Sequence, residues 1–391
     1  KKSKWEILLT VIIFFILGTP LLTDQTVRPL FFLFFTLTGF LLYLVQKNVS
    51  LLQDMRHPIV FGYGIYVLWV LVSSLFGIDV ENSLFGTITR PGGWFILCGS
   101  FLFFLLLLSL KKTNDKHILT WMICITTFIA SYGILEFFKI VPPFLNTTFL
   151  PRAVSTTGNP IYFAGYLLFP LAFSLYAFTK KSSASVFFLF CSILLFGGIL
   201  VSKTRGAVVG ILLSLLLGFL LWIVKKQSKK QMALFFTIML CVFVGGFLFQ
   251  KTTVKNIFDK YVVHSNDPNT KDRLGDWNSA WRGFLAHPVK GTGYENYFRS
   301  ADLFFSPKLN MTEYQFSDKP HNHYLEILVS SGVIGFILYL FILYSAYRSL
   351  LKSYRTKAIS YTQYLLLTGG FTAYLIYLFF VFDVLITLIT F

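Results

Sequence analysis

The sequence predicts an all-α polytopic membrane protein, and three observations support this class. First, 55% of its 391 residues are hydrophobic and only 13% are charged, which is more apolar surface than one water-facing globule could bury. Second, apolar runs long enough to cross about 30 Å of hydrocarbon recur along nearly the whole chain. Third, the formal net charge of +17 is spread over loops and is not gathered into a basic domain, so no nucleic-acid partner is predicted.

The apolar runs place about 11–12 transmembrane helices along the chain. The first run follows several lysines but precedes no small-residue cleavage site, so we expect a retained helix rather than a signal peptide. A twelfth helix depends on the tail, DVLITLITF. The eleven other runs are approximately Trp5–Leu22, Pro29–Val45, Pro58–Phe76, Gly93–Leu110, Ile118–Phe138, Ile161–Thr179, Val186–Val201, Ala207–Val224, Met232–Phe249, Tyr324–Tyr347 and Tyr361–Phe382.

Alternate connections between these runs differ in charge. One set carries 18 basic and three acidic residues, whereas the other carries 15 basic and eleven acidic residues. Because an excess of Lys and Arg marks cytoplasmic loops, we expect a cytoplasmic N-terminus and an extracytoplasmic second set. This pattern predicts transmembrane helices 1–9 in residues 1–249, one extracytoplasmic loop in residues 250–322 and the C-terminal transmembrane helices in residues 323–391.

The long extracytoplasmic loop is predicted to be partly helical. It is far longer than the 12–15 residues at which an unstructured loop becomes unusual. Within it, RLGDWNSAWRGFLAHP spaces Leu274, Trp277, Trp281 and Phe284 or Leu285 at helical intervals. Such a stripe predicts an amphipathic helix that lies on the membrane surface or caps the helical bundle.

Arginine on the outer side needs an explanation beyond topology. Arg90, Arg152 and Arg205 lie beside helix ends with Gly or Pro close by, and Lys203 shares a very short turn with Arg205. Glycine lets a ligand approach the backbone, and guanidinium groups suit phosphate oxygens. The alternative is that these side chains snorkel to lipid head groups, which would not explain the glycines. The pattern therefore favours an anionic, phosphate-containing ligand.

The stretch DKPHNHYLE places two of the chain's six histidines just before an apolar helix. His321 and His323 could be a metal pair, but no third ligand lies at a recognisable spacing, so neither a metal nor a cofactor is predicted. The stretch could also be a polar cap, with Asp318 as N-cap and Pro320 in the first turn. The favoured interpretation is a neutral imidazole that receives a proton from a hydroxyl.

Four segments in fixed order together resemble one known family. They are GNPIYFAGYL, SKTRGAVVGILLSLLLG, DRLGDWNSAWRGFLAHPVKGTGYENYF and HNHYLEILVSSGVIGF. This order resembles the bacterial O-antigen ligase and O-antigen polymerase family, over roughly Arg152 to Leu343. A fainter match is the upstream GIDVENSLFGTITRPGGW. The resemblance implies a multi-spanning membrane glycosyltransferase with a GT-C-like architecture, located in the bacterial cytoplasmic (inner) membrane.

The resemblance also implies the reaction and its partners. The donor would be a glycan on undecaprenyl diphosphate at the outer face of the membrane, and the acceptor a hydroxyl of a glycan, lipid or protein, with membrane lipids around the enzyme and without a metal or nucleotide sugar. Arg205 and Arg273 would hold the diphosphate, and His321 would be the essential histidine. The further candidate substrate-binding residues are Arg90, Arg152, Lys203, Asn159, Arg282, Asn322 and His323.

Two alternatives stay open at this point. A polysaccharide polymerase differs from a ligase only in its acceptor, and nothing in these residues decides between the two. A transporter of lipid-linked glycans belongs to another class. It would require a polar path through the membrane, whereas the few ionisable residues inside the spans, Glu136, Lys139, Glu326 and Asp383, form no such ladder. For the glycosyltransferase we expect Arg90, Arg152, Arg205 and Arg273 to converge on one outward-facing cavity.

Overall fold

The computed structural model describes residues 4–22, 26–45, 56–87, 92–109, 115–141, 151–180, 182–224, 268–304 and 317–388. Throughout these residues the regular structure is helical, which confirms the all-α class. The helices are α1 Lys4–Leu17, α2 Val27–Val45, α3 Pro58–Leu75, α4 Val80–Phe85, α5 Trp94–Ser109, α6 Asp115–Phe137, α7 Pro160–Phe178, α8 Ser185–Val201, α9 Arg205–Val224, α10 Pro268–Ala286, α11 Tyr297–Phe304, α12 His323–Arg355, α13 Tyr361–Tyr377 and α14 Leu385–Leu388.

Five of the helices in the described part of the chain are long and apolar enough to cross a membrane: α2, α3, α6, α7 and α12. Shorter apolar helices occupy the predicted runs at α1, α5, α8 and α9. The predicted run Met232–Phe249 lies outside the described residues. The last predicted run, Tyr361–Phe382, leaves the helical conformation after Tyr377, and the tail contributes only the short helix α14 among the residues described.

The chain divides into two compact units. The first contains residues 1–121, 268–349 and 382–389, and the second contains residues 122–267, 350–381 and 390–391. In the first unit α2 packs on α1 and α5, α3 packs on α5, and α10 packs on α11. In the second unit α7 packs on α8 and α13, and α13 packs on α9.

Small residues bring the helices of the second unit close together. A side chain at Gly210 would lie 2.4 Å from the carbonyl oxygen of Ala373, and one at Gly165 would overlap the ring of Tyr377. The Tyr377 hydroxyl in turn donates a hydrogen bond to the carbonyl oxygen of Ile161 at 2.8 Å. Glycine at these contacts is typical of membrane helices, whose association depends on close van der Waals packing.

Helix α12 of the first unit is broken at Gly332, which the sequence predicted to lie in an uninterrupted helix. Gly332 has φ +67°, and a Cβ there would lie 2.2 Å from the carbonyl oxygen of Val289. Because the helix opens at this point, the carbonyl groups of Val329 and Ser330 accept the amides of Thr292 and Gly293 at 2.8 and 2.9 Å. The break thus docks the loop that follows α10 onto α12.

Candidate active site

His321 lies in a turn between Ser317 and Asn322, directly before α12. Its φ is +51°, a left-handed conformation that is uncommon for residues other than glycine and that often marks a functional site. Its Nδ1 is buried and lies 3.6 Å from Oδ2 of Asp276, while 35% of the side chain is exposed. Nδ1 and Nε2 are separated by one ring carbon and point in different directions, so an imidazole that turns Nδ1 to Asp276 leaves Nε2 for another partner.

Helix α10 presents Asp276 to His321. The hydroxyl of Tyr297 lies 3.3 Å from Asp276 Oδ1 and 3.1 Å from its backbone carbonyl oxygen. The hydroxyl of Ser317 lies 3.0 Å from Asp276 Oδ2 and 2.8 Å from the carbonyl oxygen of Lys319. Both carboxylate oxygens therefore have hydroxyl partners, and one of these partners belongs to the turn that carries His321. Asp276 is therefore fixed in position with its Oδ2 facing the imidazole of His321 at 3.6 Å.

Helix α10 has one packed face and one open face. This agrees with the amphipathic helix that the apolar stripe predicted. On the packed face, Ala280 is buried against Tyr297 and Val329. Leu274, Trp281 and Leu285 are exposed by 53, 46 and 57%. Exposed apolar side chains of this size fit a helix at the membrane surface, which remains our prediction for α10.

Two arginines of α10 have different positions relative to Asp276. Arg273 is half-buried and precedes Asp276 by three residues, so the two side chains are neighbours on the helix surface. Arg282 is exposed and lies nine residues after Arg273, which places it on the opposite side of the helix. Of these two candidate residues, the helical spacing places only Arg273 next to Asp276.

The turn before α12 also contains a buried ion triad. Lys319 is only 3% exposed, and its Nζ lies 2.8 Å from Oε1 of Glu295 and contacts Oε1 of Glu326. Burial lowers the pKa of Lys319, but the two carboxylates raise it by more, so the net pKa is above its ordinary value. Lys319 is therefore an ammonium group that links the turn, the loop after α10 and the first turn of α12.

His323 forms a second pair with a carboxylate. Its Nε2 lies 3.6 Å from Oδ2 of Asp383, and its ring packs against Tyr339 with 5.4 Å between the centroids. The neighbouring Phe382 contacts the other half of the motif, because its ring is 5.7 Å from the His321 ring and 5.7 Å from Nζ of Lys319. The Phe382-Asp383 dipeptide thus touches both histidines.

The cap of α12 differs from the one considered from the sequence. Asn322, not Asp318, is the N-cap: its Oδ1 accepts the amides of Tyr324 at 3.1 Å and Leu325 at 3.2 Å. Helix α12 begins at His323, so the hypothesis that Pro320 lies in its first turn is wrong. Because Asn322 is buried and its oxygen already accepts two amides, that oxygen is not free to bind a substrate.

In the second unit, the candidate residues gather around the turn from Ser202 to Arg205. Lys203 has φ +49°, and its Nζ lies 5.1 Å from the centroid of the Phe137 ring. Arg205 is the first residue of α9 and is exposed. The Thr204 hydroxyl donates to the carbonyl oxygen of Pro160 at 3.0 Å. These contacts fix the turn and leave the Arg205 side chain accessible.

Arg152 supports this turn from the side. Its Nε donates to the carbonyl oxygen of Ser202 at 2.9 Å, and one terminal nitrogen lies 3.2 Å from the Thr204 hydroxyl. The segment after Arg152 is held by Glu136, whose carboxylate accepts the amide of Ser155 at 2.6 Å. These bonds connect Arg152 to the Arg205 turn, and its expected contact with substrate stays a prediction.

The remaining candidate residues have different outcomes. Asn159 is the N-cap of α7, because its Oδ1 accepts the amide of Ile161 at 2.8 Å. Arg90 lies outside the described residues. Arg152 and Arg205 belong to the second unit and Arg273 to the first, and each unit is described by itself. The convergence of the four arginines on one cavity therefore stays a prediction.

Within the described ranges, no group of three or more His, Cys, Asp or Glu side chains could hold a metal ion.

No pattern in the sequence indicated that Asp276 faces His321 or that Lys319 pairs with two glutamates beside it. Asp276, Glu295 and Glu326 come from three separate segments, so no spacing pattern connects them. The available signal was Glu326, a charged residue three places into an apolar helix. An ionisable group at membrane depth is expected to have a partner, and Lys319 is the nearby cation of the opening motif.

The helices define an all-α polytopic membrane protein. The chain matches the family model described as O-antigen ligase over residues 190–340. This match confirms the resemblance to the O-antigen ligase and polymerase family that the four sequence segments indicated. The matched range contains Arg205, Arg273, Asp276 and His321, and it ends before Asp383. A comparison with curated proteins finds no match.

Proposed function

We propose that this chain is a membrane glycosyltransferase that moves a glycan from undecaprenyl diphosphate to an acceptor hydroxyl at the outer face of the bacterial inner membrane. The observation that carries the proposal is the His321–Asp276 pair. A partly exposed imidazole whose inner nitrogen faces a hydrogen-bonded carboxylate is suited to general base catalysis. The family match over residues 190–340 supports the donor class.

The acceptor oxygen attacks the anomeric carbon of the donor sugar and passes its proton to Nε2 of His321. The bond between that carbon and the diphosphate oxygen breaks, and the diphosphate leaves with the bonding electrons. Asp276 stabilises the imidazolium that forms, and Arg273, its neighbour on α10, stabilises the negative charge that develops on the leaving group.

Residues of the second unit are proposed to bind the donor diphosphate. Arg205 is an exposed cation at the start of α9, where the partial positive charge of the helix N-terminus also favours phosphate. Lys203 lies in the same turn, and Arg152 holds that turn in place. We assign Arg205 to the donor diphosphate and Arg152 to positioning the turn. His323, paired with Asp383, is assigned a supporting role.

The function is tested by transfer with defined components. The purified protein is incubated with a polyprenyl-diphosphate-linked glycan and with separate acceptors: a lipid-linked core, a protein and a second glycan repeat. Nucleotide sugars are omitted and EDTA is included. We expect a transferred product in mass spectrometry with one acceptor, which also separates ligase from polymerase. Activity that disappears in EDTA and returns with Mg²⁺ or Mn²⁺ would contradict the metal-independent mechanism. Movement of intact donor across a vesicle membrane without transfer would support the transporter instead.

A further inference from the structure

The ion triad of Lys319, Glu295 and Glu326 is placed where it can control the geometry of His321. Only one residue, Pro320, separates Lys319 from His321, and Asn322 on the other side is fixed as the cap of α12. The left-handed backbone at His321 is therefore held from both directions. The Phe382 ring lies against both the Lys319 ammonium and the His321 imidazole. A displacement of the Lys319 side chain would therefore move the ring that packs against His321.

The triad connects this turn to a rigid support. Glu295 has φ +61°, and its backbone carbonyl accepts the amide side chain of Asn82 at 2.9 Å. The next residue, Asn296, is fully buried and donates from Nδ2 to the carbonyl oxygen of Asp79 at 3.0 Å and to the Ser83 hydroxyl at 2.9 Å. Glu295 is thus anchored on α4 and its cap, and Lys319 is tied to that anchor.

Stability alone does not account for such a triad. Buried ion pairs can often be replaced by neutral groups of similar volume with little loss of stability, because desolvating the ions offsets most of their attraction. The two carboxylates instead tie the ammonium of the turn to two other segments, the loop that contains Glu295 and the first turn of α12.

We propose that Lys319 is a positioning residue for His321, acting through Glu295 and Glu326 to hold the imidazole toward Asp276 and the acceptor hydroxyl. The inference rests on the proposed function, since it concerns the base of that reaction. Lys319 does not touch the substrate in this proposal. Its loss lowers the rate of the chemical step and leaves donor binding intact, because the donor is held by other residues.

Two variants test the proposal, because Lys319→Met alone leaves two unpaired carboxylates in a buried site and can prevent folding. Glu295→Gln leaves Lys319 paired with Glu326 and reduces its ion pair with residue 295 to at most a neutral hydrogen bond, which weakens the tie to α4. The triple variant Lys319→Met, Glu295→Gln, Glu326→Gln removes every charge of the cluster. Lys290→Met is the matched control: Lys290 belongs to the same loop, but its Nζ donates to the carbonyl oxygen of Phe76 at 2.8 Å.

The readout is kcat and KM for the donor, measured in each folded variant after thermal unfolding has been compared with the unmodified protein. Misplacing a catalytic group by about 1 Å costs on the order of 10²-fold in rate. We therefore expect kcat to fall about tenfold in Glu295→Gln and on the order of 10²-fold in the triple variant, with donor KM within about threefold. Lys290→Met is expected to keep the kcat of the unmodified protein.

A normal kcat in folded Glu295→Gln or in the folded triple variant overturns the role of Lys319. The same holds if donor KM rises in parallel with the loss of kcat, since that would place the triad in substrate binding. His321→Ala is assayed alongside to separate this inference from the proposed function. If His321→Ala keeps normal transfer, the assignment of the base falls. If it is inactive while Glu295→Gln is fully active, only the inference about Lys319 falls.

Discussion

The two turns that carry the candidate residues share a backbone pattern and differ in what surrounds it. Each has a non-glycine residue with positive φ, Lys203 at +49° and His321 at +51°, and in each a helix begins two residues later. The first turn is held by hydrogen bonds from the Arg152 guanidinium and the Thr204 hydroxyl, and it leaves the Arg205 cation exposed. The second turn is held by a buried ion triad, and it presents an imidazole.

This difference suits two kinds of chemistry. An exposed arginine at a helix N-terminus can bind phosphate without a large desolvation cost, because it keeps part of its hydration until the ligand arrives. A general base must instead be fixed in direction, and a buried cluster gives that rigidity. We infer that the first turn serves binding and the second serves proton transfer.

The largest effect is expected at the second turn. If His321 is the base, His321→Ala lowers transfer by about 10²–10⁴-fold, the range in which a positioned proton acceptor contributes. His323→Ala costs much less, because its pair with Asp383 is assigned a supporting role. The measurements are steady-state transfer, donor binding and thermal unfolding. If His323→Ala were the inactive variant and His321→Ala the active one, the base would lie two residues downstream.

The sequence predicted the helices better than it predicted the contacts at their ends. Apolar runs and the α10 stripe depend on local composition, so they are visible in one stretch of sequence. Gly332 was missed, since one glycine inside an apolar run also fits an unbroken helix. His321 was identified by its resemblance to a family motif. Its partners Asp276 and Glu295 are near it only after folding, and no local pattern connects residues so far apart in sequence.

A smaller effect is expected at the first turn. Arg205→Ala removes one charged contact to the donor diphosphate, and such contacts contribute about 1.5–3 kcal/mol. We therefore expect donor affinity to fall by about 10–100-fold, with Arg205→Lys recovering part of it. The matched control is Arg299→Ala, because Arg299 is exposed and its pair with Asp79 at 3.5 Å is of the surface kind. Direct donor binding is measured by titration; equal losses in both variants would refute the assignment of Arg205.

The break in α12, the helix that follows the second turn, gives a prediction for the free energy of unfolding. Gly332→Ala introduces a Cβ 2.2 Å from the carbonyl oxygen of Val289 at a residue with φ +67°. We expect a loss of about 1–3 kcal/mol in the free energy of unfolding. The matched control is Gly369→Ala in α13, where a Cβ meets no atom within 4 Å. There the substitution is expected to stabilise the helix by about 0.5–1 kcal/mol. Thermal or denaturant unfolding in detergent compares the two, and equal effects would contradict the docking role of the break.

The smallest effect on the free energy of unfolding is expected from substitutions at the helix caps next to the two turns. Asn159 caps α7, whose Pro160 carbonyl accepts the Thr204 hydroxyl, and Asn322 caps α12. Replacing either asparagine by Ala is expected to cost about 1 kcal/mol in the free energy of unfolding, the usual contribution of a cap. Asp caps a helix as well as Asn does, so Asn159→Asp should keep the stability of the unmodified protein.

Asn322→Asp should behave differently from Asn159→Asp. A carboxylate at residue 322 lies one helical turn from Glu326, which shares the buried ammonium of Lys319 with a second carboxylate, Glu295. The repulsion offsets the benefit of the cap, so we expect Asn322→Asp to be less stable than the unmodified protein at neutral pH. Lowering the pH protonates the added carboxylate and should reduce this deficit, whereas the stability of Asn159→Asp relative to the unmodified protein should change little. If both Asp variants were equally stable from pH 5 to 8, the charge of the triad would not act on the second turn, and the contrast between the two turns would be one of shape alone.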